Sequence, residues 1–234
     1  MYPYLFESFI GDKVLIPTYG VLLALAFSVA YIESLRRAMV QRLDPKHVEN
    51  LFLIIVSSSM LGSRAFHVLV EAPSYFWKHP SEIFYVWQGG FTFYGALIAA
   101  TLACVAYVRW KSLPLAEWCD LVAPSVFLGL FIGRLGCLAA GCCWGHPTEL
   151  PWAVVYTHAQ SFSELKYIPT HPTQVYESIG ALALYFLLQR QYRRRAFPGQ
   201  VAATGLVGYA VLRFGVEFFR ADEYRGALGA ISTS

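Results

Sequence analysis

Residues 131–145 read FIGRLGCLAAGCCWG, an apolar helical run that carries one arginine, Arg134, and then breaks into glycines and cysteines. An arginine near the end of a membrane-length run is expensive to leave in hydrocarbon, so it points to a polar cavity or an anion. Gly133, Gly136, Gly141 and Gly145 allow close approach and let the chain leave helical geometry beyond the arginine. On this stretch alone a second reading stays open, in which Arg134 snorkels to the interface above a small-residue packing face.

The surrounding composition is that of a membrane protein. Of 234 residues 56% are hydrophobic and 14% charged, with a mean hydropathy of +0.46, whereas a soluble domain carries about a quarter of its residues as charges. The formal charge of +3 is too small to suggest nucleic acid as a partner, and the basic residues sit in short clusters between apolar runs. The opening MYPYLFESFIGDKV lacks the basic start and small-residue cleavage site of a signal peptide. With no repeat and no low-complexity tract, residues 1–234 read as one integral membrane domain.

Six apolar runs follow one another, at about Val14 to Val40, Val48 to Val70, Gly90 to Trp110, Ala116 to Cys137, Pro172 to Gln189 and Val201 to Phe219. Each is close to the roughly 20 residues that cross a hydrocarbon core, so the expected fold is all-α and polytopic with six transmembrane spans. Arg36, Arg37, Arg42 and Lys46 follow the first run, Arg109 and Lys111 the third, and Arg190 through Arg195 the fifth. This bias puts the odd connections in the cytoplasm and both termini outside. Phe76, Trp77, Tyr85, Trp87, Trp144 and Trp152 then fall on the outer side as an aromatic belt.

The same topology brings Arg134, His171, Glu177 and Arg220 to the outer ends of the last three runs, with Arg64 deeper in the second. Arg213, Glu217 and Arg220 share a helical face, where Arg213 and Glu217 have the spacing of a structural ion pair. Two or three arginines at one leaflet, without matching carboxylates in the loops, suit a lipid phosphate, because the guanidinium fork matches phosphate geometry.

Four separated stretches carry a resemblance: GRLG with the cysteine-rich turn after it, GGFTFYGALI at 89–98, HPTQVYES at 171–178 and RFGVEFFRADEYRG at 213–226. Together they resemble the prolipoprotein diacylglyceryl transferases over nearly the whole chain. The resemblance implies a multi-pass enzyme of the bacterial inner membrane, its active site towards the periplasm. The implied reaction moves the diacylglyceryl group of phosphatidylglycerol to the lipobox cysteine of a preprolipoprotein signal peptide. Its products are a thioether and glycerol 1-phosphate. It also implies that Arg134 and Arg220 are the family's signature arginines. Gly133, Gly136, Gly145, Gln174 and Glu177 join them and Arg64 as expected substrate-binding residues.

The chain departs from the family pattern at Cys137 and Cys142, which replace Asn and Glu, and at Tyr94, which replaces His. The family's seventh span has no counterpart after Ala230. A phenol is mostly protonated at neutral pH, so Tyr94 is expected to position substrate, and His171 is the expected base. The alternative for His171 is a structural start to the fifth span. No cofactor is required for this reaction. Cys137, Cys142 and Cys143 do not have the paired spacing of zinc sites, and packing or a local disulfide is the expected role, with metal ligation a lesser alternative. Two other functions stay open. One is a paralogue that binds phospholipid or transfers a lipid group to another acceptor; the other is a small anion transporter, although the inverted repeat of many transporters is absent.

Overall fold

The computed structural model describes residues 4–6, 16–85, 89–158, 161–221, 227–228 and 231–232. Its long elements are helices: α1 Thr18–Val40, α2 Pro45–Phe66, α3 Pro73–Lys78, α4 Phe93–Trp110, α5 Leu115–Ala140, α6 Thr173–Tyr192 and α7 Gln200–Glu217. Strand is confined to two- or three-residue pieces paired antiparallel, among them Val154–Val155 with Pro169–Thr170. Among the described residues four helical stretches, α1, α2 with its π-helical extension to Glu71, α4 and α5, are long and apolar enough to cross a membrane. The expected runs coincide with α1, α2, α4, α5, α6 and α7 to within a few residues. The helical part of the first begins only at Thr18, after extended Ile16–Pro17.

The chain divides into two compact units, residues 34–118 and residues 1–33 with 119–234. In the 34–118 unit, α2 opens at Asp44, whose carboxylate accepts from the Lys46 N–H, with Pro45 in the first turn. Helices α2 and α4 lie antiparallel. His47 Nδ1 and Asn50 Nδ2 both meet the Tyr107 hydroxyl at 2.8 Å at one end, and Ser63 Oγ donates to the Thr92 carbonyl at 2.8 Å at the other. Between these ends Gly62 and Gly95 face each other. A Cβ on Gly62 would meet the Gly95 carbonyl oxygen at 2.6 Å, so close backbone approach requires glycine. The hydroxyls of Ser57, Ser58 and Ser59 return to the carbonyls of Leu53, Ile54 and Val56, which satisfies them within an apolar helix.

In the other unit, α6 and α7 pack on α5 around Phe127, Ala181, Leu188, Tyr192 and Val201. The turn between them is fixed by buried Asp120, which accepts from the N–H groups of Gly199 at 2.8 Å and Ala202 at 2.9 Å. A carboxylate at a helix N-terminus also offsets the helix dipole. One expectation about the aromatic belt changes. Phe76 is buried beneath Arg64 and His67 rather than facing lipid, while Trp77 and Trp152 are exposed. Trp87 and the segment 222–226 lie outside the described residues.

Candidate active site

Helix α5 ends in a Schellman turn. Gly141, at φ +77°, donates to the Leu138 carbonyl, and the Cys142 N–H reaches back to the Cys137 carbonyl at 3.2 Å. Cys143 is also left-handed, at φ 61°. A non-glycine residue is held there only when its surroundings dictate it, and here α6 supplies the restraint. Gln174 Nε2 donates to the Cys142 carbonyl and Thr173 Oγ1 to the Cys143 carbonyl.

Three segments distant in sequence are then laced together. The Gly145 N–H donates to the His171 carbonyl at 3.1 Å, the His171 N–H to His146 at 3.0 Å, and the His146 N–H to Phe219 at 2.9 Å. Arg220 and Gly145 form an antiparallel bridge. A Cβ on Gly145 would stand 2.5 Å from the Phe219 carbonyl oxygen and 2.6 Å from the His171 Cβ, so the crossing is possible only with glycine. The motif segments around 145, 171 and 220 are one structural junction.

Just inside that junction, Arg134 Nη2 meets Glu177 Oε1 at 2.7 Å. The Tyr209 hydroxyl donates to the same carboxylate oxygen at 2.9 Å. Glu177 is 1% exposed, so these two donors, rather than water, satisfy its carboxylate oxygen. The carboxylate that matches Arg134 comes from helix α6 and not from the loops. Glu177 is its counterion, and the pair arises because α5 and α6 pack with Ser178 Oγ donating to the Phe131 carbonyl. Arg220 is buried at the junction, and both Arg220 and Arg134 act electrostatically on Cys143. Arg213 pairs with Glu217 at 2.7 Å along α7, the structural pair its spacing suggested.

His171 Nδ1 lies 3.1 Å from the Tyr176 hydroxyl, which accepts from Trp152 Nε1, and the imidazole packs against Phe219. Gln174, buried, donates to both the Cys142 carbonyl and the Tyr156 hydroxyl. Burial pushes the Tyr156 phenol up to about 12, against the pull of the Gln174 hydrogen bond. Gly136 packs on Tyr19, whereas Gly133 has open space around its Cα. The sulfurs of Cys137, Cys142 and Cys143 all lie within 4.8 Å of one another, and all three are free thiols, so of the two expected roles, packing or a local disulfide, the disulfide is not formed. Tyr209 and Tyr156 were not anticipated. Tyr209 had one signal, its place four residues before Arg213 in an apolar helix.

Arg64 and Tyr94 belong to the 34–118 unit. Arg64 directs Nε to the Ile83 carbonyl at 3.0 Å, Nη2 to Glu82 at 2.7 Å and Nη1 to Gly89 at 2.7 Å. These bonds tie the guanidinium to the main chain at Glu82, Ile83 and Gly89. Tyr94 stands in the first turn of α4, 44% exposed, edge-on to Phe93.

Long apolar helices, with an arginine, its buried carboxylate partner and a thiol cluster gathered beside one loop junction, define a helical membrane protein. The sequence profile of the family described as prolipoprotein diacylglyceryl transferase matches residues 6–234. The phosphatidylglycerol–prolipoprotein diacylglyceryl transferase of Bordetella avium is 37% identical over 90% of this chain and 80% of its own length. The protein of the same name from Clostridium tetani is 35% identical over 100% of this chain and 91% of its own, and that of Verminephrobacter eiseniae 40% over 78% and 66%. The chain belongs to the prolipoprotein diacylglyceryl transferase family.

Proposed function

We propose that this chain transfers the diacylglyceryl group of phosphatidylglycerol to the lipobox cysteine of a preprolipoprotein, forming a thioether and releasing glycerol 1-phosphate. One observation carries the reading: Arg134, with its Glu177 and Tyr209 partners, and buried Arg220 stand at the junction that ties segments 145, 171 and 220 together.

In this reading Arg134 and Arg220 bind the lipid phosphate and stabilise the charge that grows on it as the carbon–oxygen bond breaks. Such fixed donors are worth about 3 kcal/mol each in the transition state. Glu177 holds Arg134 in one rotamer, so the guanidinium meets the phosphate without reorganising. His171, whose Nδ1 faces Tyr176, accepts the thiol proton through Nε2. Gly133, Gly136, Gly145 and Gln174 shape the lipid site, and Tyr94 donates to a phosphate or ester oxygen. Arg64 keeps the loop beside it in order.

The chain is taken as a single membrane domain of six spans in a bacterial inner membrane, the site towards the periplasm. Support for spans in α6 and α7 comes from Ile179 and Phe186 on α6 and from Leu206, Val211 and Phe214 on α7, all exposed. Apolar side chains in such continuous exposure suit lipid. The test is complementation in a bacterium depleted of its own diacylglyceryl transferase. Restored growth with lipidated lipoproteins is the expected outcome; accumulation of unmodified preprolipoprotein despite full expression contradicts the reading.

A further inference from the structure

We propose that Cys137, Cys142 and Cys143 hold a zinc-class divalent cation whose remaining coordination position takes the acceptor thiol of the substrate and converts it to the thiolate that is alkylated. The inference rests on the diacylglyceryl-transfer reading above.

The geometry comes first. Three sulfurs mutually within 4.8 Å are close to the arrangement a tetrahedral ion needs, since bonds of about 2.3 Å set sulfurs about 3.8 Å apart. Side-chain rotation closes that gap. The cluster is not a chance meeting of apolar cysteines. Cys137 comes from the last turn of α5, and Cys142 and Cys143 from the Schellman turn beyond it. The carbonyls of the latter two are tied to Gln174 and Thr173. Left-handed Cys143 is the unusual backbone that this convergence requires. A disulfide would use two of the three sulfurs and leave the third over.

Ligand number and charge then separate a catalytic from a structural ion. Closed structural zinc sites take four protein ligands, and catalytic ones take three and keep a position open. Among the described residues the cluster offers three. Three thiolates and a divalent ion carry a net charge of −1; Arg134 stands about one helical turn before Cys137 on α5, and Arg220 is bridged to Gly145, two residues beyond Cys143, so two cations flank the cluster. The same arginines are assigned to the phosphate, which sets the nucleophile's ion beside the leaving group's clamp.

The chemistry balances without an oxidant or reductant. The acceptor S–H loses its proton to His171 or to water as sulfur joins the ion. The thiolate attacks the glycerol carbon that carries the phosphate, the S–C bond forms as the C–O bond breaks, and the electron pair leaves with the phosphate of glycerol 1-phosphate. The thioether product is a weaker ligand than a thiolate, so alkylation itself releases it. A protein cysteine acting as the nucleophile fails by contrast, because a thioether formed on it could not be passed on.

The test uses the full chain in lipid nanodiscs, stripped of metal and titrated with Co²⁺ alone. The expected result is visible bands of tetrahedral cobalt with near-ultraviolet thiolate charge transfer, weakened in each of C137S, C142S and C143S and unchanged in Cys119→Ser. A lipobox peptide with cysteine, but not its serine counterpart, should change the bands. Absence of these bands in the wild-type protein, or their persistence in all three variants, overturns the proposal whether or not a variant folds poorly. A free thiol of pKa near 8.5 is only about 3% ionised at pH 7, so metal removal should slow transfer about 30-fold there and leave a rate that climbs towards pH 8.5. Transfer by the stripped protein at the zinc-loaded rate and pH profile overturns the ion's role while the transferase reading stands. Cobalt bands that respond to the peptide, with no transfer from phosphatidylglycerol in any metal state, instead overturn the transferase reading and the alkylation step with it.

Discussion

Arg134 and Glu177 meet at 2.7 Å with Glu177 almost wholly out of water, which makes them one unit and not a free cation beside a spare carboxylate. Removing one partner of such a pair leaves an unmatched buried charge, a loss of about 3–5 kcal/mol. Glu177→Gln should therefore lower the thermal midpoint measured in detergent. Glu177→Gln combined with Arg134→Met should recover part of that loss without recovering transfer. A double variant no more stable than Glu177→Gln would contradict the pairing.

Lysine at position 134 keeps the charge but loses the planar fork. Arg134→Lys and Arg220→Lys should each reduce transfer by about a hundredfold, the range of one oxyanion donor. Near wild-type complementation by Arg134→Ala or Arg220→Ala would remove the phosphate clamp.

Gly145→Ala forces a methyl against the Phe219 carbonyl and His171. The junction should open, with activity lost at normal expression, because none of the helix–helix contacts is touched. Gly215→Ala, where a Cβ meets nothing within 4 Å, should be tolerated in a parallel complementation assay.

Much of this was legible in sequence because it rests on local pattern. The helices follow from apolar length, and the convergence of Arg134, His171 and Arg220 from counting spans. The Arg134–Glu177 pair was not, since topology places both at the outer end but only the packing of α5 on α6 sets one against the other. The thiol cluster escaped for the same reason. Spacing rules describe knuckles, whereas these sulfurs meet because a Schellman turn reverses the chain. The bonds of Arg64 were not legible either, because its partners are main-chain carbonyls, which leave no mark in the sequence.

Tyr156 gives a pH signature. Its folded phenol is raised to about 12 by burial, so it stabilises the protein fully below the unfolded value near 10 and loses that contribution as pH rises from 10 towards 12. Thermal unfolding between pH 9 and pH 11.5 should fall less steeply for Tyr156→Phe than for the wild type; parallel curves would exclude the effect.

The most direct measurement is mass spectrometry of a lipobox peptide incubated with the purified chain in phosphatidylglycerol vesicles. The account predicts a peptide heavier by one diacylglyceryl group on its cysteine, with glycerol 1-phosphate released in equal amount, and neither product with Arg134→Ala. An unmodified peptide after incubation with folded protein, or modification undiminished by Arg134→Ala, would contradict it.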